Sequence, residues 1–258
     1  MGKIKKGEIM LKKISKLFLL LIIASVTATA AEIKPPKTVV NGDVRFVVSK
    51  KWQILYYKLN KKNVFNVFSC VRGQAGKKRL ALLSGKVLSQ KCSMEDGLFS
   101  MQKKVSLKGD EIEADLKIDI AKNGKVNFDL KLDYKGDVSW TANHRRMSNM
   151  FVMKTSAPVK FKAISAKGKK LSGTTENKLS YNYLKELTIE TASGPLLIKP
   201  ENEYTSIRLS SPKAMGAKFT GAYIMVGLFT YKDKGRKVSF EEGDSEELKF
   251  SIFPLKQK

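Results

Sequence analysis

"EIEADLKIDIAKNGKVNFDLKLDY", residues 111–134, carries six acidic side chains in twenty-four positions, and its pattern decides the fold. Apolar residues fall at every second place, first as Ile112, Ala114, Leu116, Ile118 and Ile120, then as Val126, Phe128, Leu130, Leu132 and Tyr134. The places between them hold Glu113, Asp115, Lys117 and Asp119, then Asn127, Asp129, Lys131 and Asp133. A period of two in two successive runs is the mark of half-buried strands. Lys122-Asn123-Gly124 between them is a turn signal. A two-residue Asn-Gly loop would set Ile120 opposite Asn127 and mismatch both faces. A three-residue loop with Gly124 left-handed pairs Ala121 with Lys125 and brings Ile120 to Val126, Ile118 to Phe128 and Leu116 to Leu130. On the other face it sets Lys117 opposite Asp129 and Asp115 opposite Lys131, leaving only Glu113 and Asp133 as a like-charge pair. The register therefore predicts a three-residue loop, and the carboxylates read as the solvated face of a sheet. Paired carboxylates doing acid and base work need a cleft and shifted pKa values, which this pattern does not supply.

Similar runs continue along the chain. They include Val44–Val48, Trp52–Leu59, Val64–Val71, Arg79–Leu83, Leu98–Leu107, Pro158–Ile164, Leu187–Thr191, Leu196–Lys199, Phe219–Tyr231, Lys237–Phe240 and Leu248–Phe253. Turn signals separate them, among them Gly85, Lys108-Gly109-Asp110, Lys135-Gly136-Asp137, Lys167-Gly168-Lys169 and Gly243-Asp244. Many short strands at such spacing predict an all-β chain built as a large antiparallel β-sandwich or barrel. At Ser193-Gly194 both two- and three-residue loops give tolerable pairs. Met147, Met150, Phe151 and Lys154 follow helical spacing, so one short helix or irregular crossover is expected there. No linker is visible after Pro35-Pro36, and residues 32–258 read as a single domain.

The first 31 residues read as a signal peptide. Lys12, Lys13 and Lys16 precede the apolar run Leu17 to Val26, and Ala28-Thr29-Ala30-Ala31 supplies small residues for cleavage. Met10 would begin a more usual signal than Met1. The apolar run is short for a bilayer span, and no later stretch is long and apolar enough to form one. The mature chain is expected to be soluble, and periplasmic or secreted. Cys70 and Cys92 are the two cysteines. In an exported chain they predict a disulfide, closing a loop worth roughly 3 kcal/mol.

Beyond residue 31 the formal charge is +20, from 43 basic and 23 acidic residues. Such a surface attracts polysaccharide or another polyanion. Lysine outnumbers arginine 42 to 7, a skew that an AT-rich genome alone would give. Arginine is the better reader of carboxylate and sulfate, so the charge by itself does not specify a ligand.

Catalytic motifs are mostly missing. The chain has no G-x-S-x-G elbow, phosphate-cradling loop, H-E-x-x-H or dinucleotide fingerprint, and no specific nucleic-acid motif. Two cysteines and one histidine make no metal site, and no cofactor is expected. His144, the lone histidine, is the one candidate acid or base, with Arg145 and Arg146 beside it favouring the neutral ring. "SWTANHRRMSNM" gathers Trp140, Asn143, His144, Arg145 and Arg146 into the most site-like segment. An indole face can stack on a sugar ring, while asparagine and arginine hold hydroxyl or acidic groups. The competing reading puts Trp140 in the core and the arginines in solvent.

The run from Leu98 to Tyr134, the Lys-Gly-Asp turns, "LTIETASGPLLIKP" and "YIMVGLFTYKDKG" resemble the galactose-mutarotase-like β-supersandwich modules of secreted bacterial carbohydrate-active proteins. The resemblance spans roughly residues 98–255 and rests on strand pattern and turn style. It implies a supersandwich with at most one or two short helices besides the signal peptide. That family's epimerases use histidines and a glutamate as acid and base; this chain has one histidine and no motif to carry the glutamate across. The expectation is therefore a non-enzymatic carbohydrate-binding or accessory protein, with acidic polysaccharide as one ligand class. The alternatives are a hydrolase, lyase or epimerase on the same scaffold, and an envelope scaffold binding lipid or protein through its basic surface.

Overall fold

The hairpin of residues 111–134 forms in the register that its two faces demand. Ile120 lies opposite Val126, Ile118 opposite Phe128 and Leu116 opposite Leu130. The Ala121 N–H donates to Lys125 O at 2.9 Å, and Gly124 closes the three-residue loop at φ +85°. The computed structural model describes residues 34, 37–75, 77–140, 147–229 and 237–255.

Four strands near the start, β1 (Lys37–Asn41), β2 (Val44–Val48), β3 (Ile54–Leu59) and β4 (Lys62–Phe65), pair in sequential order as one small sheet. The rest join a second sheet of sixteen strands. Its first members are β5 (Arg72–Ala75), β6 (Lys78–Ala81), β7 (Lys86–Glu95), β8 (Leu98–Leu107), β9 (Ile112–Ala121) and β10 (Val126–Tyr134). Next come β11 (Val138–Trp140), β12 (Ser148–Thr155), β13 (Lys160–Ser165), β14 (Lys170–Thr174) and β15 (Ser180–Thr191). The series ends with β16 (Gly194–Pro200), β17 (Thr205–Ser210), β18 (Thr220–Leu228), β19 (Val238–Phe240) and β20 (Ser245–Pro254). The order across the sheet is β19-β11-β5-β12-β18-β17-β15-β16-β20-β10-β9-β8-β7, with β6 beside β5 and the β13–β14 pair beside β15. Among the described residues the only helical elements are two single 3-10 turns, Leu82–Ser84 and Lys213–Met215.

Both sheets share one core. Phe46 of β2 meets Phe99 of β8 edge-on at 4.8 Å. Phe151 of β12 lies 5.2 Å from Phe65, 5.3 Å from Phe68 and 5.5 Å from Phe250 of β20. Ring contacts of this kind combine a large apolar area with a preferred edge or offset geometry. Polar contacts fix the small sheet on the hairpin turn. Asn41 donates from Nδ2 to Gly97 O at 2.9 Å and Ile120 O at 2.8 Å, and the Asp43 N–H donates to Lys122 O at 3.0 Å. Tyr57 donates to Gly124 O at 2.8 Å, while Leu59 Cδ1 would lie 2.7 Å from any Cβ at that glycine. The turn is thus a docking point as well as a loop.

Two expectations are overturned. Residues 148–155 are strand β12, paired with β18 from Ser148–Gly227 to Thr155–Thr220, where helical spacing had been read. Met147, Phe151 and Met153 are all buried and Met150 is half-covered, because the strand is enclosed on both faces and its apolar run loses period two. Gly221 permits this pairing, since a Cβ there would lie 1.9 Å from Met153 O. The expected Cys70–Cys92 disulfide is not formed: both cysteines are buried and unbridged. The Cys70 N–H is tied to Asn149 Oδ1 of β12 at 3.0 Å, whereas Cys92 pairs with Met101 across β7 and β8, far along the strand order. At Ser193-Gly194 the two-residue loop forms, pairing Thr191 with Gly194 and the buried Ile189 with Leu196.

Candidate functional site

Trp140 leads to the site, though not in the role expected of it. Val138 and Trp140 point inward and Ser139 lies between them, so the indole is fully buried against β5 and cannot stack on a ligand. Its Nε1–H donates to the Tyr134 hydroxyl at 2.7 Å. Tyr134, equally buried, donates in turn to Glu246 Oε2 at 2.7 Å and stacks on Phe240 at 4.5 Å. Asn143, His144, Arg145 and Arg146 lie outside the described residues.

Glu246 is the residue that the sequence concealed. On β20 the inward positions run Glu246, Leu248, Phe250 and Ile252, opposite Leu132, Leu130, Phe128 and Val126 of β10. A carboxylate in the apolar phase of a strand was the available signal. The register places it where the core ends, and the Trp140–Tyr134 pair fixes one of its oxygens. Burial of this tyrosine and tryptophan is tolerated because each polar tip has a partner.

Glu246 opens onto a cleft of about 580 Å³, lined also by Lys131, Asn202, Tyr204, Val238, Phe240, Ser245 and Glu247. Tyr204 stands in the loop between β16 and β17, 55% exposed. Asn202 holds that loop in place: its Nδ2 donates to Glu247 O at 2.7 Å and its Oδ1 accepts from the Thr205 N–H at 2.9 Å. Glu247 is paired with Lys249 at 2.6 Å and Lys131 with Asp133 at 2.8 Å. The cleft thus offers an exposed phenol ring, fixed carboxylate acceptors and an apolar wall at Val238 and Phe240. This combination suits a ligand with one apolar face and a rim of hydroxyls.

The solvated face of the hairpin is a wider polar network than the two-strand pairing implied. Asp129 faces Lys117 in the ladder but takes its ion pair from Lys249 on β20 at 3.4 Å. Asp115 accepts from Gln102 of β8 at 3.0 and 3.1 Å, and Asp119 accepts from Ser100 at 2.7 Å. The opposed Glu113 and Asp133 are each relieved by a lysine, Lys104 and Lys131 respectively. Burial, and then the neighbouring Glu247, raise the Asp129 pKa against the pull of Lys249. Among the described residues, no three side chains of metal-ligating type converge, and no helix is long and apolar enough to cross a membrane.

No family model and no curated protein matches the chain. Solved structures do match its fold. Galactose 1-epimerase from Lactobacillus acidophilus NCFM superimposes with a TM-score of 0.54 at 4% identity, over 88% of this chain and 98% of that one. A protein assigned as an aldose 1-epimerase, from Escherichia coli K12, gives 0.51 at 10% identity, over 84% and 98%. A TPR-domain containing protein from Parabacteroides distasonis gives 0.55 at 9% identity, over 83% of this chain and 46% of that one. At such identities the likeness is one of architecture, and function has to be argued from the site. The chain is an all-β protein with the galactose-mutarotase-like supersandwich fold.

Proposed function

We propose that this is an exported, non-enzymatic carbohydrate-binding protein whose ligand sits in the Tyr204 cleft. The observation that carries the reading is the exposed ring of Tyr204 beside a 580 Å³ cleft with Glu246 fixed at its inner end. Stacking on an aromatic face and hydroxyl donation to a carboxylate are the two interactions a sugar ring makes best. The fold, shared with epimerases of sugars, supports the ligand class. Its polar groups are already tied to one another: Glu247 to Lys249, Lys131 to Asp133 and Asn202 to the loop backbone. That makes a preorganised platform rather than an acid–base pair waiting for a substrate. The carboxylates favour a neutral, hydroxyl-rich ring in this cleft. Export, to the periplasm or beyond, rests on the basic and apolar run before Ala31.

The test is a glycan array with folded wild-type protein, followed by titration of the best neutral oligosaccharide against Tyr204→Ala and Glu246→Gln. Each variant is expected to weaken binding about tenfold or more, with the melting temperature of Tyr204→Ala unchanged. Retention of wild-type affinity by Tyr204→Ala would remove the cleft from the proposal.

A further inference from the structure

A second cleft, of about 300 Å³, opens at the same end of the sheet. It is walled by β6, the 3-10 turn Leu82–Ser84, the start of β7 and the β8–β9 turn. Four cations line it: Lys78, Arg79, Lys86 and Lys108. Lys108 is neutralised by Glu111. Asp110, the one carboxylate in the lining, is engaged by the Ser106 hydroxyl. Lys78, Arg79 and Lys86 have no carboxylate partner among the described residues, although acidic and basic side chains pair freely on the hairpin face. Arg79 is one of seven arginines among 49 basic residues, and its planar fork binds carboxylate or sulfate in two places.

The two clefts are linked by the register. Leu107 faces Ile112, Ile112 faces Tyr134, and Asp133 faces Ser245, so β8, β9, β10 and β20 all end together. Three interstrand steps separate β8 from β20, about 14 Å at the usual spacing. Between the clefts the Lys135 N–H donates to Glu111 O at 2.8 Å, which ties the β10–β11 turn to the base of the basic cleft. An extended oligosaccharide crossing these strand ends would place one ring at Tyr204 and a later one at Arg79.

We infer that the basic cleft binds the carboxylate or sulfate group of an acidic glycan whose neutral part occupies the Tyr204 cleft. The inference rests on the carbohydrate reading given above, and its test separates the two. A uronic-acid oligomer, a sulfated oligomer and a neutral hexose oligomer of equal length are titrated at about 0.15 M salt, where remote surface charges are screened. The variants are Arg79→Gln with Lys86→Gln, and, as a control of equal charge loss, Lys160→Gln with Lys162→Gln on exposed positions of β13. The first pair is expected to weaken an anionic oligomer about tenfold and leave the neutral one unchanged; the control pair changes neither by more than about twofold. Equal losses from both pairs would overturn the inference and leave the net charge as the whole explanation; equal wild-type affinity for neutral and anionic oligomers would overturn it by showing that no acid group is recognised. Comparison of the uronic and sulfated oligomers tells which acid the cleft takes. Inorganic sulfate, followed at the Arg79 Nε–H by NMR, reads the cleft without any sugar. A saturable sulfate shift with no glycan bound would uphold the anion site and sink the carbohydrate reading.

Discussion

At the scale of single residues, the buried polar groups carry the clearest consequences. The Tyr134 hydroxyl links the Trp140 indole to Glu246, so Tyr134→Phe removes the acceptor of a buried N–H. A loss of about 1–3 kcal/mol is expected from chemical unfolding, together with weaker glycan binding because Glu246 loses the hydrogen bond that orients one of its oxygens. Lys103 is a second case. It is 4% exposed on the inward phase of β8, and among the described residues its ammonium reaches two carbonyls, Lys51 O and Leu82 O, each at 3.4 Å. Burial, and then the charge of Lys51, hold its pKa below the usual lysine value. The folded protein therefore prefers the neutral amine more than the unfolded chain does. Its charging opposes folding at neutral pH, and stability should rise as pH climbs from the folded pKa towards the unfolded value. Lys103→Met should raise the urea midpoint at pH 7 and flatten its rise as pH approaches the usual lysine range; a lowered midpoint would show that the carbonyl contacts matter more than desolvation. The sequence showed that Lys103 sits on an alternating strand, but not that its phase is inward, since lysine there contradicts the pattern that surrounds it. Glu246 was hidden for the same reason.

At the scale of elements, periodicity was readable wherever one face of a strand is wet. The β9–β10 hairpin followed from composition down to the residue pairs, because a slip by one place would have buried its aspartates. Strand β12 was not readable, because burial on both faces erases the alternation and leaves methionine and phenylalanine at spacings a helix could share. The partners of the polar face were legible only in part, since Lys249 and Gln102 arrive from strands distant in sequence. Asp129→Asn and Asp115→Asn should each shift stability by less than about 1 kcal/mol. Asp129 has a raised folded pKa, so its ionisation works against the fold above the unfolded carboxylate range, and Asp129→Asn should be the neutral-to-stabilising member of the two. The turn is less forgiving. Gly124→Ala forces a side chain into positive φ and against Leu59, and about 1–3 kcal/mol or more should be lost in thermal unfolding.

At the scale of the whole molecule, the aromatic contacts of Phe151 and the clasp of Asn41 on the hairpin make the two sheets interdependent. Far- and near-ultraviolet signals should lose structure in one transition, and Phe151→Ala should lower stability by about 3–5 kcal/mol without splitting that transition in two. A separate early melting of β1–β4 would contradict the shared core. Architecture was legible in the sequence because strand spacing and turn chemistry are local. The clefts were not, because one is assembled from strand ends more than a hundred residues apart and the other from two stretches, 78–86 and 106–110, that only the fold brings together.

Strand β20 lies between β16 and β10, and among the described residues it alone joins β7–β10 to the remainder of the large sheet. A ribosome must therefore have made residue 245 and its successors before the two portions can join edge to edge. Until then a growing chain can fold only piecemeal, and closure of such long loops is slow. If the proposed export passes the chain unfolded through a membrane pore, this delay would serve it: the large sheet could close only after synthesis ends.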